Sequence, residues 1–317
     1  MYIKNFPENI INIACTIDNS YVQHCAVMLA SLLDSNKNTF FKFYIIHNGM
    51  EYHKQRKLEK FLSKRKQCTY QLILIDQKYL AELPVNVPLF GHISIATYFR
   101  IFLAEILPNT LDKILFLDAD IIVRKDIRPL WETNIEGYSH AATINPGLQD
   151  YFLNLYQEAA NPYYFNAGVL LINLHFWRNN NIMVRAYNIL TKYWDKIGCW
   201  DQDVLNILLN TNWLRVGLTW NATPRVFQRE IKSKELMNHE EMNSLVNDPA
   251  IVHFAGGGFH KPWYYKCQHP FKNLYQKYLK HTPWSNSRLI GEPSLLLKLR
   301  MRLKLGTRLK KIISLRN

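Results

Sequence analysis

The stretch Ile114-Leu115-Phe116-Leu117-Asp118-Ala119-Asp120-Ile121-Ile122-Val123 decides the reading of this chain. It is an apolar, strand-like run interrupted by two acids. Burying a carboxylate without a partner is costly. In an extended segment the side chains at i and i+2 point to the same side. Asp118 and Asp120 are therefore placed to converge on one hard divalent cation. The same spacing also fits a strand end whose acids meet solvent or cap a following helix.

Working outward, short apolar strands alternate with helical periodicity for some 220 residues. Ile10–Ile17 is β-branched and apolar, as in a buried parallel strand. Residues 21–33 carry apolar side chains at helical spacing, 40–46 predict a second strand, 51–66 a charged amphipathic helix and 70–75 a third strand. Residues 94–107 predict a helix capped by Ser94 and stopped before Pro108. Lys113–Leu117 is a fourth strand, with 169–172 and 250–254 as further candidates. Between 220 and 248 the pattern weakens to loops with a short helix, and 270–280 predict one more helix. This β-α-β rhythm implies an α/β fold: an open, mainly parallel sheet with helices on both faces.

The chain has 317 residues, 48% of them hydrophobic, which excludes a disordered or collagen-like protein. Its net charge is +14, and residues 295–317 hold eight basic residues and no acid. Such a tail suits a polyanionic surface. The five cysteines are odd in number and lack CxxC spacing, the first residues lack a basic run followed by an apolar one, and no run approaches the roughly 18–20 apolar residues of a membrane span. A reduced, cytoplasmic location with cysteines as small core residues is expected.

Three further clusters carry chemistry. Trp200-Asp201-Gln202-Asp203 reads as a helix start, where acids are favoured and from which they can be aimed into a cleft. In His253-Phe254-Ala255-Gly256-Gly257-Gly258-Phe259-His260-Lys261-Pro262-Trp263 a strand-end histidine is a possible metal ligand. The glycines there allow close backbone approach, and Lys261 can neutralise phosphate. The same run also fits a surface loop beside a core histidine. In Tyr164-Phe165-Asn166-Ala167-Gly168, Asn166 alone reads as a turn residue. His92 and Arg100 flank a helix start and are individually unremarkable. Together, two acids, a histidine, a lysine and glycines suit a metal-bound diphosphate, with Asn166 and Asp201-Gln202-Asp203 reading a hydroxyl-rich group.

At this point the chain resembles glycosyltransferase family 8, the retaining enzymes that include bacterial lipopolysaccharide galactosyl- and glucosyltransferases. The likeness is to the lipooligosaccharide α-1,4-galactosyltransferase type. The motifs from His92 to Arg100, Phe116 to Asp120, Tyr164 to Asn173, Asp201 to Asp203 and His253 to Trp263 occur in the family's order, over about residues 10–280. The resemblance implies a GT-A nucleotide-sugar binding fold, a mixed, mostly parallel sheet, and a UDP-sugar donor, UDP-galactose or UDP-glucose. It implies that Asp118, Asp120 and His253 hold Mn²⁺, with Mg²⁺ as a substitute, and that Lys261 and the Gly256 backbone contact phosphate. Thr16, Asp18 and Tyr21 would sit at the uracil. His92, Arg100, Ala119, Asn145 and Asn166 would complete the donor site. Asp201, Gln202 and Asp203 form the expected catalytic group, with Gln202 near the anomeric carbon. The chain departs from the pattern twice: the run from His253 to Lys261 is two residues longer, and Asn145 stands where the family often has Asp.

The acceptor expected from this likeness is a lipid-linked oligosaccharide, a lipopolysaccharide or lipooligosaccharide core, or else another glycan or a glycoprotein. Residues 1–280 would form the catalytic domain, 281–294 a linker, and 295–317 a basic, apolar tail. The tail would hold the protein peripherally on the inner face of the cytoplasmic membrane. A nucleotidyltransferase making UDP-sugars would need a glycine-rich loop after the first strand, and Thr16–Tyr21 has no glycine. A nucleic-acid binder fits less well, because the tail is leucine-rich without interleaved aromatics.

Overall fold

The computed structural model describes residues 10–81, 83, 94–227 and 239–294. Among the described residues the nine strands are β1 (Ile10–Ile17), β2 (Phe40–His47), β3 (Cys68–Leu74), β4 (Lys113–Leu117), β5 (Ile121–Val123), β6 (His140–Ile144), β7 (Phe165–Asn173), β8 (Leu214–Arg215) and β9 (Ile251–His253). Seven of them form one sheet in the order β3-β2-β1-β4-β7-β6-β8. Strand β7 runs antiparallel to β4 and to β6, and the other neighbours are parallel. The mainly parallel α/β sheet is thus mixed, as a GT-A fold requires. Strands β5 and β9 make a separate antiparallel ribbon with Ile121 opposite His253.

Alternation along the strands builds two cores. Ile13, Cys15, Phe43, Leu115 and Leu117 join the helix Val22–Ser35 on one face. Ala14, Tyr44, Ile114 and Phe116 pack on the other, against residues of Ile95–Phe102, Ile182–Tyr193 and Trp200–Leu208. A sheet buried on both faces accounts for strands that read as continuous apolar runs.

The helix expected over 94–107 starts and stops where Ser94 and Pro108 require, but most of it is not α-helical. Ser94 Oγ accepts from Ala96 N at 3.1 Å, and Ile95–Phe102 is a 3₁₀ helix followed by the α-turn Leu103–Ile106. Three residues per turn align side chains at i, i+3 and i+6. Ser94, Thr97 and Arg100 accordingly fall in one row, and all three line the same cleft.

The segment 281–294, expected as a linker, is bonded to the domain. Trp284 packs on the first core, Ile290 N donates to Trp263 O at 2.8 Å, and Tyr265 N donates to Ile290 O at 2.9 Å. Its turn-forming residues do form turns, but Trp284 and Ile290 hold those turns against the fold. The basic tail at 295–317 and His92 lie outside the described residues. Among the described residues no helix is long and apolar enough to cross a membrane.

Candidate active site

A cleft of about 570 Å³ lies across the ends of four adjacent strands. Because β7 runs against its neighbours, its amino end meets the carboxyl ends of β1, β4 and β6. Thr16 and Asp18 line the cleft at β1, Asp118 to Asp120 at β4, Asn166 to Gly168 at β7, and Asn145 at β6. Three inter-strand steps of about 4.8 Å make this row roughly 14 Å long. Ligands of open α/β sheets bind at such strand ends.

At the middle of the row, Asp118, Asp120 and His253 each present one atom within 4.8 Å of the others. His253 Nε2 stands 3.6 Å from Asp118 Oδ2 and 3.3 Å from Asp120 Oδ1. The remaining oxygens belong to cations. Arg100 Nη2 donates to Asp118 Oδ1 at 2.9 Å, and Lys261 Nζ donates to Asp120 Oδ2. Each carboxylate thus keeps one oxygen for the shared point. Burial by itself would raise the Asp120 carboxyl, but Lys261 and then His253 outweigh it and hold that group well below the usual carboxylate range.

A chain of hydrogen bonds fixes the imidazole. Gly168 N–H donates to Asn166 Oδ1 at 2.9 Å, so that atom is an acceptor. Asn221 Nδ2 therefore donates to it, at 2.8 Å. The other end of the Asn221 amide, Oδ1, faces His253 Nδ1 at 2.8 Å. His253 must then carry its proton on Nδ1, which leaves the Nε2 lone pair for a cation. Close packing adds a second constraint. A β-carbon on Gly168 would stand 2.3 Å from His253 Cε1 and 2.6 Å from Asp118 Oδ2. Two carboxylates, an oriented imidazole and a glycine that leaves them room are a donor set that fits Mn²⁺ or Mg²⁺.

Toward β1, Asp18 Oδ1 accepts from Ser20 N, Ser20 Oγ and Tyr21 N, which shapes the loop after the strand. Burial, then the charges of Asp120 and Asp18, push the Tyr21 phenol far up. Lys261 lies over Trp263, 5.5 Å from the ring centre, and His24 stacks on the same indole at 3.6 Å. Despite its longer approach, the loop after His253 brings Lys261 into the cleft, where it is 7% exposed. Gly256 lines the cleft with φ +83, a left-handed conformation that suits glycine.

Toward β7, the helix Trp200–Leu208 presents its first turn. Trp200 has φ +51, an uncommon left-handed conformation for a bulky residue, and lines the cleft. Asp201 is buried; Thr97 Oγ1 donates to its Oδ1 at 2.5 Å and Arg100 Nε stands 2.7 Å from its Oδ2. Burial raises the Asp201 carboxyl to about 6, against the opposing pull of Arg100 and Thr97. Gln202 is pinned at both ends: Oε1 accepts from Ala167 N at 2.9 Å and Nε2 donates to Tyr164 OH at 3.0 Å.

Asp203 is not among the residues lining the cleft. Both its oxygens are taken, by Tyr151 and Tyr164 hydroxyls and by the N–H groups of Gly198 and Cys199. The sequence groups it with Asp201 and Gln202, which do line the cleft. Asp203 holds the turn before the helix and orients Tyr164, which in turn holds Gln202. The structure also brings in Thr97, Asn221, Thr223 and Arg225, which the sequence did not single out. Thr97 alone carried a signal, its spacing of three from Arg100.

Sheet order and cleft together are those of a GT-A glycosyltransferase. Residues 12–267 match glycosyl transferase family 8, and the chain belongs to that family. It is similar to General stress protein A of Bacillus subtilis, 27% identical over 91% of this chain and 98% of that protein. It is also similar to the lipopolysaccharide 1,3-galactosyltransferase of Salmonella typhimurium, 27% identical over 92% of this chain and 84% of the relative. Among solved structures, the galactosyltransferase LgtC in complex with donor and acceptor sugar analogs superposes with a TM-score of 0.74. It is 24% identical and covers 86% of this chain and 96% of its own. At that identity the match shows the fold.

Proposed function

We propose that the protein is a retaining hexosyltransferase. It moves galactose or glucose from a UDP-sugar to a hydroxyl of a lipopolysaccharide or lipooligosaccharide core acceptor, with Mn²⁺ on Asp118, Asp120 and His253. The observation that carries the reading is the convergence of those three groups beside Lys261, at the centre of the strand-end row. Relatives named as lipopolysaccharide galactosyl- and glucosyltransferases support the substrate class.

Negative charge grows on the UDP leaving group as the glycosidic bond breaks, and a divalent ion held there supplies charge to offset it. Lys261 adds a buried cation that has no need to reorganise. Thr16, Asp18 and Tyr21 lie one strand away, at β1, where the base belongs. On the other side of β4, at β7, Asn166 and Gln202 meet the sugar. The Gln202 amide is held rigid but is a weak nucleophile. Retention is therefore assigned to a front-face route, in which the acceptor hydroxyl enters on the side that UDP leaves. Asp201, raised by burial, keeps Arg100 aligned between β4 and the sugar. Residues 295–317 place the protein peripherally on an anionic membrane surface.

The test is a panel of UDP-sugars scored for Mn²⁺-dependent UDP release, with Asp120→Asn as the control. NMR of the product linkage reads the stereochemistry. Release that ignores both metal and Asp120→Asn, or an inverted linkage, would sink this reading. Transfer to a different glycan by the same metal-dependent route would change the acceptor alone.

A further inference from the structure

Arg225 is a cation inside the cleft that no described residue neutralises. It is half-buried and lines the cleft beside Thr223, Pro224, Asn145 and Leu148. The other lysine and arginine side chains lining the cleft are ion-paired: Arg100 with Asp118 and Asp201, Lys261 with Asp120. Among the described residues Arg225 makes no ion pair and no hydrogen bond. The protein has room for it there: Gly147 has φ +74, and a β-carbon on it would stand 3.0 Å from Arg225 Nη1.

A second observation points the same way. Thr223 is 2% exposed, and among the described residues its Oγ1 has no hydrogen-bond partner. An enclosed hydroxyl without a partner costs free energy, and such groups in native proteins call for an explanation. A ligand in the cleft supplies one. Arginine presents a planar fork of donors that matches phosphate and carboxylate oxygens.

Position along the row says which ligand. Arg225 lies with Asn145 at the β6 end, beyond the β7 strand from the metal-ligating pair on β4. The diphosphate belongs beside Lys261, and the transferred hexose is neutral. We infer that Arg225 and Thr223 form a subsite for an anionic substituent, a phosphate or a carboxylate, on the acceptor sugar. This assignment rests on the donor reading above for which end of the cleft is which.

The test uses the full chain saturated with UDP and Mn²⁺, titrated calorimetrically with galactose, galactose 6-phosphate and glucuronate. The anionic sugars should bind about ten- to hundredfold more tightly than galactose, and Arg225→Gln should remove that difference. Arg225→Lys should keep part of it. Equal binding of the three sugars, or a preference that survives Arg225→Gln, would overturn the subsite. In a second arm UDP-glucuronate competes with UDP-galactose without acceptor. A preference for UDP-glucuronate that vanishes in Arg225→Gln would put the anion on the donor and overturn the acceptor assignment. Failure of the wild type to bind UDP with Mn²⁺ would instead count against the donor reading.

Discussion

The backbone N–H of Gly168 determines which nitrogen of His253 carries a proton. The link runs through Asn166 and Asn221, each of which has only one amide orientation open to it. Asn221→Ala should therefore weaken divalent-ion binding about ten- to hundredfold, the usual cost of losing a partner behind a ligating histidine. Gly168→Ala should do more, since its methyl group would collide with His253 and Asp118. Its overpacking should also cost about 1–3 kcal/mol of stability. Electron paramagnetic resonance of free Mn²⁺ and a urea melt measure the two effects.

Asp203 should behave as a structural residue with a catalytic consequence. Asp203→Ala strips the acceptor from the buried Tyr164 phenol, the half-buried Tyr151 phenol and two N–H groups, an expected loss of about 2–3 kcal/mol. Tyr164→Phe should cost only about 1 kcal/mol. It frees the Gln202 amide, so kcat should fall while KM for the donor holds. Steady-state kinetics beside denaturant melts separates the two variants.

Asp201 trades stability for position. Its folded pKa, about 6, lies above the ordinary 3.8, so the folded state binds more protons between those values. Its contribution is therefore favourable at low pH and is lost as pH rises through about 6. Asp201→Asn should be more favourable to stability at pH 7 than at pH 4, by about 2 kcal/mol. Turnover should nevertheless fall, because Arg100 loses a charged partner. Urea midpoints at the two pH values decide it.

Two buried histidines act in the opposite direction. Burial lowers His24 and His140 to about 3, with Lys261 adding to the effect at His24. Both are neutral in the fold, and the unfolded chain takes up protons below about 6.5. Their stability is complete above that value and is lost as pH falls toward 3, by up to about 1.4 kcal/mol per unit for each. His140→Phe should flatten the fall in melting temperature between pH 7 and 5.

Removal of residues 295–317 should release the protein from vesicles containing anionic lipid while leaving UDP release intact. The cut belongs after Ser294, because Ile290 is bonded to Trp263 and Tyr265. Co-sedimentation before and after truncation reads the result. Undiminished vesicle binding would remove the tail from the account.

Much of this was legible from spacing. The DxD run, the alternating strands and the Ser94 cap carry local signals strong enough to read without coordinates. Strand β6 was not legible: all five residues from His140 to Ile144 are buried, yet two are polar and two are alanine. Burial on both faces erases the alternation that marks a strand. Asn221, Thr223 and Arg225 were hidden for another reason. They lie in a weakly patterned stretch whose importance comes from where the sheet returns it, which no local period encodes. Asp203 was ambiguous because an acid facing a cleft and an acid bonded to the turn before a helix look alike in one dimension.

The ribbon of β5 and β9 has a consequence for timing. Ile121 sits opposite His253, and Phe254 N donates to Asp120 O at 3.0 Å. This small ribbon, together with the Asn221 amide and the bond from His253 N to Ala222 O, holds late-translated His253 beside the earlier acids. Fraying of a few amides could thus unmake the metal pocket while the seven-stranded sheet stays intact. The exchange rate of the Phe254 amide becomes a clock for how long the pocket stays assembled, and any ligand that bridges the two segments should slow it.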